Sequence, residues 1–447
     1  MSTATTPGRS PSNNSVEDLA PVHLLIVNQH GDNRGDEAAL RAMLRTFAEM
    51  LEARGRSVRF TVVHQSRDRV LRLRFDEEVA AIPMLLPIPA ALGFALRSGL
   101  HRLFGKIPRW LDRLLLTEAT TELVAAYRSA DLVVSAPGGP YFGDIYRDHE
   151  LVHWFFVWLA GSFGKRSFLY ATSAGPFRTP GLNALRRRMF RRFDGLCVRE
   201  NQSAQLLRKL CGEELTIEVT ADSALQQKYS PFLREEIFGP QRQALRERFL
   251  VSLTALRYAF PEHRDPTSAQ EAFENAWLAG VEHLARRRQC HFLLLPQLYG
   301  ESHSDVAYLE QLAGRLPASV SWEVVDPEID AHGHQRIVAM TDFSIACRYH
   351  PQIFAAAGEV PGVCVYYEHK ASSFMSALGL EDFALSIRTI DAESLCATID
   401  RALGQSSEIL TRMAERMPEL RRQARRTTEL ALELCELSPR TPGGMDP

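Results

Sequence analysis

Short apolar runs alternate with segments of helical periodicity along nearly the whole chain, and that alternation restricts the fold more than any other feature. In the first half the apolar runs are Val22–Asn28, Arg59–His64, Leu132–Ala136, Phe168–Thr172, Gly195–Val198 and Ile217–Thr220. In the second they are Phe249–Thr254, His291–Pro296, Val320–Val325, Phe343–Cys347, Gly362–Tyr366 and Ala384–Ile387. Between them one apolar face recurs at helical spacing; after Gly35 it is formed by Leu40, Met43, Leu44, Phe47, Met50 and Leu51. Strand–helix alternation of this kind predicts α/β architecture, with parallel sheets covered by helices on both sides. A chain of 447 residues exceeds what one core usually serves, so two such domains are expected. The polar, Pro- and Gly-marked stretch 228–243 is the expected junction. The predicted division is a disordered lead-in over 1–20, a first Rossmann-like domain over 21–240, a second over 241–405, and a C-terminal helix and tail over 406–447.

Residues 81–117 interrupt the alternation. Pro83, Pro87 and Pro89 break the start, and a basic amphipathic piece, Leu96 to Leu116, follows. Three readings stand: ordinary cover for the core, a lid on the cleft, or a peripheral contact with a membrane surface. No apolar run reaches the ~18–20 residues needed to cross a bilayer; 151–163 comes nearest and reads as a buried helix. The polar lead-in lacks the apolar stretch of a signal peptide. Seven scattered cysteines without a C-x-x-C pair predict reduced thiols in a cytoplasmic protein, stationed there freely or at the inner face of the membrane. A formal charge of −2 gives no sign of a nucleic-acid footprint.

Candidate chemistry collects where strands end, the place at which open α/β sheets bind ligands. The first strand runs into Asn33, Gly35 and Asp36 on the turn into a helix, where a carboxylate is favoured by the dipole and a glycine admits close approach. This turn lacks the G-x-G-x-x-G and G-x-x-x-x-G-K-[ST] patterns, so a dinucleotide or P-loop site is not supported. Further small-residue loops hold Gly138 and Gly139, then Ser173-Ala174-Gly175-Pro176. Arg199-Glu200 closes another strand, and Asp222 sits in the loop after the next. In the second half, Arg348-Tyr349-His350 ends the run Phe343–Cys347, with Pro351 placed to open a helix and Lys370 following later. Two basic side chains, a helix N-terminus and a lysine suit a small multi-anionic ligand. Arg199 and the second-half cations have an alternative use in structural ion pairs. The arginines at 186–188, 191 and 192 read as a solvated helix face or as a hold on an anionic acceptor. His332-Gly333-His334 lacks a carboxylate partner in register and reads as surface, so no metal site is expected.

Taken in order, N-x-G-D-E-A, a Gly-Gly loop, S-x-G-P, V-R-E-x-x-S, an Asp loop, R-x-H and Y-x-x-K make the chain resemble the polysaccharide pyruvyl transferase family over about residues 22–390. The chain departs from the family pattern in reading PGGP in the glycine loop and ADSAL where Asp-Pro is usual. The resemblance implies two Rossmann-like domains facing across a cleft, a glycosyltransferase-B-like arrangement, with no cofactor or metal. It also implies transfer of the pyruvyl group of phosphoenolpyruvate, as donor substrate, to sugar hydroxyls of a polysaccharide or its precursor as a ketal. The acceptor would be a glycan or a lipid-linked or nucleotide-linked sugar. Carried across residue by residue, the implied catalytic groups are Asp36, Arg199, His350 and Lys370. Arg348, Tyr349, Asn33, Gly35, Gly138, Gly139 and Ser173 complete the expected binding surface. Arg348 and Arg199 are expected to clamp the donor's anions, and Asp36 and His350 to move protons. The rival enzymatic reading is a nucleotide-sugar-dependent glycosyltransferase of the same architecture; the non-enzymatic rival is a binding protein that kept the fold.

Overall fold

The computed structural model describes residues 20–64, 79–84, 118–138, 142–257, 266–299 and 304–436, with short pieces between 92 and 111. Two wholly parallel sheets organise them. The first has β1 (Val22–Gln29), β2 (Val58–His64), β3 (Val79–Pro83), β4 (Leu132–Ser135), β5 (Ser167–Thr172), β6 (Gly195–Val198) and β7 (Glu218–Val219), in the order β3-β2-β1-β4-β5-β6-β7. The second has β8 (Phe249–Leu253), β9 (Cys290–Leu294), β10 (Ser321–Val324), β11 (Phe343–Ala346), β12 (Gly362–Tyr366) and β13 (Ala384–Ser386), in the order β10-β9-β8-β11-β12-β13. Both orders reverse once, between β1 and β4 and between β8 and β11, and such reversals open a crevice beyond the carboxyl ends of the strands.

The central strands are buried along their length, as expected of strands covered on both faces; every residue of β1 is buried. The helices that matter to the site are α1 (Arg34–Glu52), α2 (Arg147–Ser162), α3 (Pro180–Phe190) and α4 (Asn201–Cys211) in the first half. In the second they are α5 (Ala331–Met340), α6 (Tyr349–Ala357), α7 (His369–Ala377) and α8 (Ser406–Glu436).

Two elements join the halves. The N-terminus of α1 docks on the second sheet's loops: Arg34 N donates to Gln297 O at 3.0 Å, and Tyr299 N donates to Asp32 O at 3.1 Å. The Arg34 guanidinium lies 3.8 Å over the Tyr299 ring and pairs with Glu37 at 2.7 Å, while Glu37 accepts from Ala331 N at 2.9 Å. The long α8 then crosses back. Its Ile409, Met413, Met417 and Ala424 lie in the second core, and its Ala431 and Leu432 lie in the first. Thr427 and Thr428 fix it to the first domain through Thr220 at 2.8 Å and Tyr170 at 2.5 Å.

Two sequence expectations need correction. Strand β3 takes in residues assigned to the interruption at 81–117. It is an edge strand, where Pro83 can sit without breaking a ladder bond on its free side. The helix after β11 begins at Tyr349, with Arg348 as its N-cap, so Pro351 lies further into the first turn than expected, still among N–H groups that have no helical acceptor. The stretch 228–243 is partly helical, with short pieces at Arg234–Phe238 and Pro240–Arg242. The lead-in 1–19, most of 85–117 and Gly139 lie outside the described residues. Among the described residues no helix is long and apolar enough to cross a membrane.

Candidate active site

Asp36, Arg199, His350 and Lys370 come from four different strand ends and meet in one buried cluster at the junction of the domains. Asp36 arrives on the first turn of α1, whose N-cap Asn33 accepts from Gly35 N at 2.8 Å. Gly35 is required there. A Cβ at this position would lie 1.9 Å from His350 Nδ1, so the first and second domains touch through a missing side chain. Gly138, at φ +82°, does the same for the loop after β4; its Cβ would stand 2.7 Å from Asp36 Oδ1.

Arg199 is fully buried. Its Nη1 donates to Asp222 Oδ2 at 2.6 Å and its Nε to Ser173 Oγ at 2.8 Å. The same Asp222 oxygen lies 3.6 Å from His350 Nε2, an ion-pair distance rather than a hydrogen bond. Among the described residues, Arg199 Nη2 and His350 Nε2 are both buried and make no hydrogen bond. Tyr349 packs between two cations, with the Arg199 guanidinium 4.6 Å and Lys370 Nζ 5.6 Å from its ring centroid. Lys370 pairs with Glu368 at 2.8 Å. Glu200 accepts from Ser173 Oγ at 3.1 Å and from Ser203 Oγ, and stands 3.4 Å from His369 Nε2.

Burial and charge act against each other here. Burial raises the Asp36 carboxyl above its usual range, against the pull of His350, Lys370 and Arg199. Burial lowers Lys370 to about 7, opposed by Asp36. Burial would raise Asp222 too, but His350 and Arg199 outweigh it and hold that carboxylate well below its usual range. The cluster therefore contains one carboxyl inclined to keep a proton, one inclined to lose it, and a lysine poised near neutrality.

Helices α6 and α7 both begin in this cluster, and neither N-terminus is capped by a side chain. Uncapped N–H groups and the helix dipole favour an anion.

Arg348 behaves differently from the expected donor clamp. Its Nη2 donates to Asp305 Oδ1 at 2.9 Å, and Asp305 in turn accepts from Gln297 N at 3.0 Å and Leu298 N at 2.9 Å. It thus ties the β11 strand end, through Asp305, to Gln297 and Leu298 beside the N-terminus of α1. Asp222 and Glu200 read from the sequence as strand-end groups but not as partners in the site, and nothing singles out Glu368 and His369 except their proximity to Lys370. The paired histidines also differ from their surface reading: His334 is buried and lowered to about 3 by that burial, while His332 sits half-buried beside Tyr229. Of the arginines at 186–192, Arg186 is buried against Glu150 at 2.7 Å and Asp144 at 2.9 Å.

A cavity of about 1050 Å³ opens beside the cluster, between α3 and α4 on one side and the β12 end, α7 and the β13 end on the other. Its lining includes Glu368 and His369 but not Asp36, Arg199, His350 or Lys370.

Two facing parallel α/β domains, with charged groups gathered from strand ends at their junction, have glycosyltransferase-B-like architecture. The chain belongs to the polysaccharide pyruvyl transferase family, whose sequence profile matches residues 33–369. It is 22% identical over 318 residues to the amylovoran biosynthesis protein AmsJ of Erwinia amylovora, covering 70% of this chain and 75% of that one. Its fold is similar to a putative UDP-N-acetylglucosamine 2-epimerase from Listeria monocytogenes (15% identity, TM-score 0.57, 93% and 96% of the two chains). It is also similar to Anabaena Alr3699/HepE in complex with UDP-glucose (12% identity, TM-score 0.55, 92% and 98%).

Proposed function

We propose that the protein transfers the pyruvyl unit of phosphoenolpyruvate to two hydroxyls of one sugar in a polysaccharide or its precursor, leaving a cyclic ketal and inorganic phosphate. The observation that carries this reading is the buried donor Arg199 Nη2, which has no acceptor among the described residues, set beside Asp222, a His350 Nε2 that also makes no hydrogen bond, and two uncapped helix N-termini. A small anionic ligand satisfies such a donor more strongly than a neutral one. The family to which the chain belongs supports polysaccharide modification, and its AmsJ relative is named for biosynthesis of such a polymer.

The chemistry divides among the clustered residues. Arg199 and the α6 N-terminus bind the carboxylate, and Lys370 with the α7 N-terminus binds the phosphate and stabilises it as it leaves. Asp36, whose carboxyl retains its proton through burial, protonates the methylene carbon. The first sugar hydroxyl then forms a bond to the central carbon, and His350, oriented by Asp222, takes the proton that hydroxyl gives up. Loss of phosphate makes room for the second hydroxyl, which closes the ketal. Of the two hydroxyl protons, one is in effect carried on as the new methyl hydrogen through recovery of Asp36, and the other departs with phosphate. Because Gly35 and His350 are in contact across the junction, the donor reaches the cluster only when the domains part, and chemistry follows reclosure.

The test is incubation of purified protein with phosphoenolpyruvate and acceptors containing galactose or N-acetylmannosamine, following phosphate release and ketal formation together. Stoichiometric appearance of both supports the reading. Transfer from a nucleotide sugar, with none from phosphoenolpyruvate, overturns it in favour of glycosyl transfer.

A further inference from the structure

The cavity beside the cluster carries a charge imbalance that the donor chemistry does not use. Its two lining acids are already engaged: Asp144 accepts from Thr179 Oγ1 at 2.7 Å and from Arg186 Nη2 at 2.9 Å, and Glu368 pairs with Lys370 at 2.8 Å. Four cations line the same space, Arg178, Arg187, Lys209 and Arg388. Among the described residues, Arg187 and Lys209 have neither an ion pair nor a hydrogen bond from their charged ends, and both are exposed to the cavity rather than folded onto a neighbour. They project from two helices, α3 and α4, that converge on the opening. Phe177 and Tyr366 add aromatic surface from the two domains. A concave site with aromatic walls and a few placed charges is the form that binds an organic ligand in a fixed orientation. An unneutralised pair of cations selects a negative one.

We infer that this cavity is the acceptor subsite and that it takes a saccharide carrying a negative charge close to the sugar that is modified. The inference rests on the pyruvyl-transfer reading for the word acceptor, and on the cavity alone for the charge. Position supports it. Glu368 and His369 form both the cavity wall and the edge of the buried cluster, with His369 3.4 Å from Glu200 and Glu368 2.8 Å from Lys370. A sugar seated against that wall presents its hydroxyls toward Lys370 and His350, while its charged portion points out toward Arg187 and Lys209. The negative charge has two chemical sources, a uronic-acid carboxylate in the glycan or a phosphate ester at the sugar's reducing end.

Equilibrium binding to the full chain decides the matter. The probes are a galactose–glucuronic acid disaccharide, the same disaccharide with its carboxyl reduced to the alcohol, and galactose 1-diphosphate, titrated by calorimetry. The expected result is that at least one anionic probe binds about tenfold more tightly than the neutral one, and that salt weakens this preference. The anionic arm that wins names the source. The double variant Arg187→Gln/Lys209→Gln lowers the acidic-to-neutral ratio by about tenfold, and Arg187→Glu/Lys209→Glu lowers it further. Both substitute exposed residues, so the fold is retained, and Arg286→Gln on a distant helix serves as the charge control. Equal binding of all three probes, or a ratio that the double variants leave untouched, overturns the inference. Ketal formation on the neutral disaccharide with wild-type efficiency leaves pyruvyl transfer standing and removes only the anionic acceptor. Charge-dependent binding with no ketal on any probe does the reverse.

Discussion

Beneath the cleft, Arg199, Lys370 and His350 are buried against Asp222, Glu368 and Asp36; on the far side of Glu368 and His369, Arg187 and Lys209 line an open cavity and form no ion pair among the described residues. The two regions share a wall and are both cationic at their working ends, yet they hold charge in opposite ways. In the buried region Arg199 is held by Asp222 and Lys370 by Glu368. Removing one partner would strand a charge in a medium that cannot solvate it. In the open region water does that work, so the cations are interchangeable and cheap to change. The contrast separates two tasks: the buried groups have their geometry settled before any ligand arrives, whereas the exposed ones confer preference among ligands.

Substitutions should widen this contrast, beginning with the most severe. His350→Ala is expected to lower kcat by about a thousandfold, the scale of a lost acid–base group, and to lower the thermal transition as well, because it empties a buried position beside Asp222. Phosphate release under saturating donor measures it, and a rate within threefold of wild type removes His350 from the chemistry. Asp222→Asn leaves Arg199 buried without its partner and His350 without its orienting neighbour. Stability should fall by about 3–5 kcal/mol and kcat by more than tenfold, with denaturant unfolding reporting the first. Arg187→Gln should change stability by no more than about 0.5 kcal/mol in the same experiment. If the two variants unfold alike, the distinction between the regions collapses.

The pH dependence sharpens the comparison from another side. Burial places Lys370 at about 7, so its charge disappears as pH rises through that value. Donor binding should therefore weaken as pH rises above about 7, by up to about tenfold per pH unit, while acceptor preference, resting on Arg187 and Lys209, persists well beyond it. Lys370→Arg keeps its charge and should move the alkaline limb of kcat/KM for the donor upward; a limb that stays in place assigns it to another group. The stability consequence has the opposite sign. Between about 7 and the ordinary lysine range the unfolded chain binds the proton that the folded chain has lost, so the contribution of Lys370 makes the protein more stable as pH rises through that interval. Gly35→Ala acts sterically on the contact with His350, and its effect is expected to be large. Its methyl group would meet the His350 ring, and the domains should close less fully, seen as a higher donor KM together with reduced kcat.

Much of this arrangement was legible before any coordinates. Strands such as β1, β8 and β11 are continuous apolar runs because both their faces are covered, and such runs stand out in a sequence. Asp36, Arg199, His350 and Lys370 were legible as strand-end groups, and the resemblance tied them together. Their pairings were not. Asp222 was legible as a strand-end carboxylate but not as the neighbour of Arg199 and His350, because contacts between residues distant in the chain leave no local pattern. For the same reason Arg348 read as a donor clamp, although Asp305 holds it. Strand β3 was hidden because Pro83 marks a break in most settings and is tolerated here only at the edge of a sheet.

The central claim is that the buried cluster at the domain junction receives the phosphorylated three-carbon acid. A crystal structure of the full chain soaked with a non-reactive phosphoenolpyruvate analogue tests it most directly. The account predicts the carboxylate within hydrogen-bond distance of Arg199 Nη2, and the phosphate against Lys370 and the first turn of α7, with His350 Nε2 beside the central carbon. An analogue lodged instead among Arg187 and Lys209, with the Arg199–Asp222–His350 cluster unchanged and dry, would contradict it.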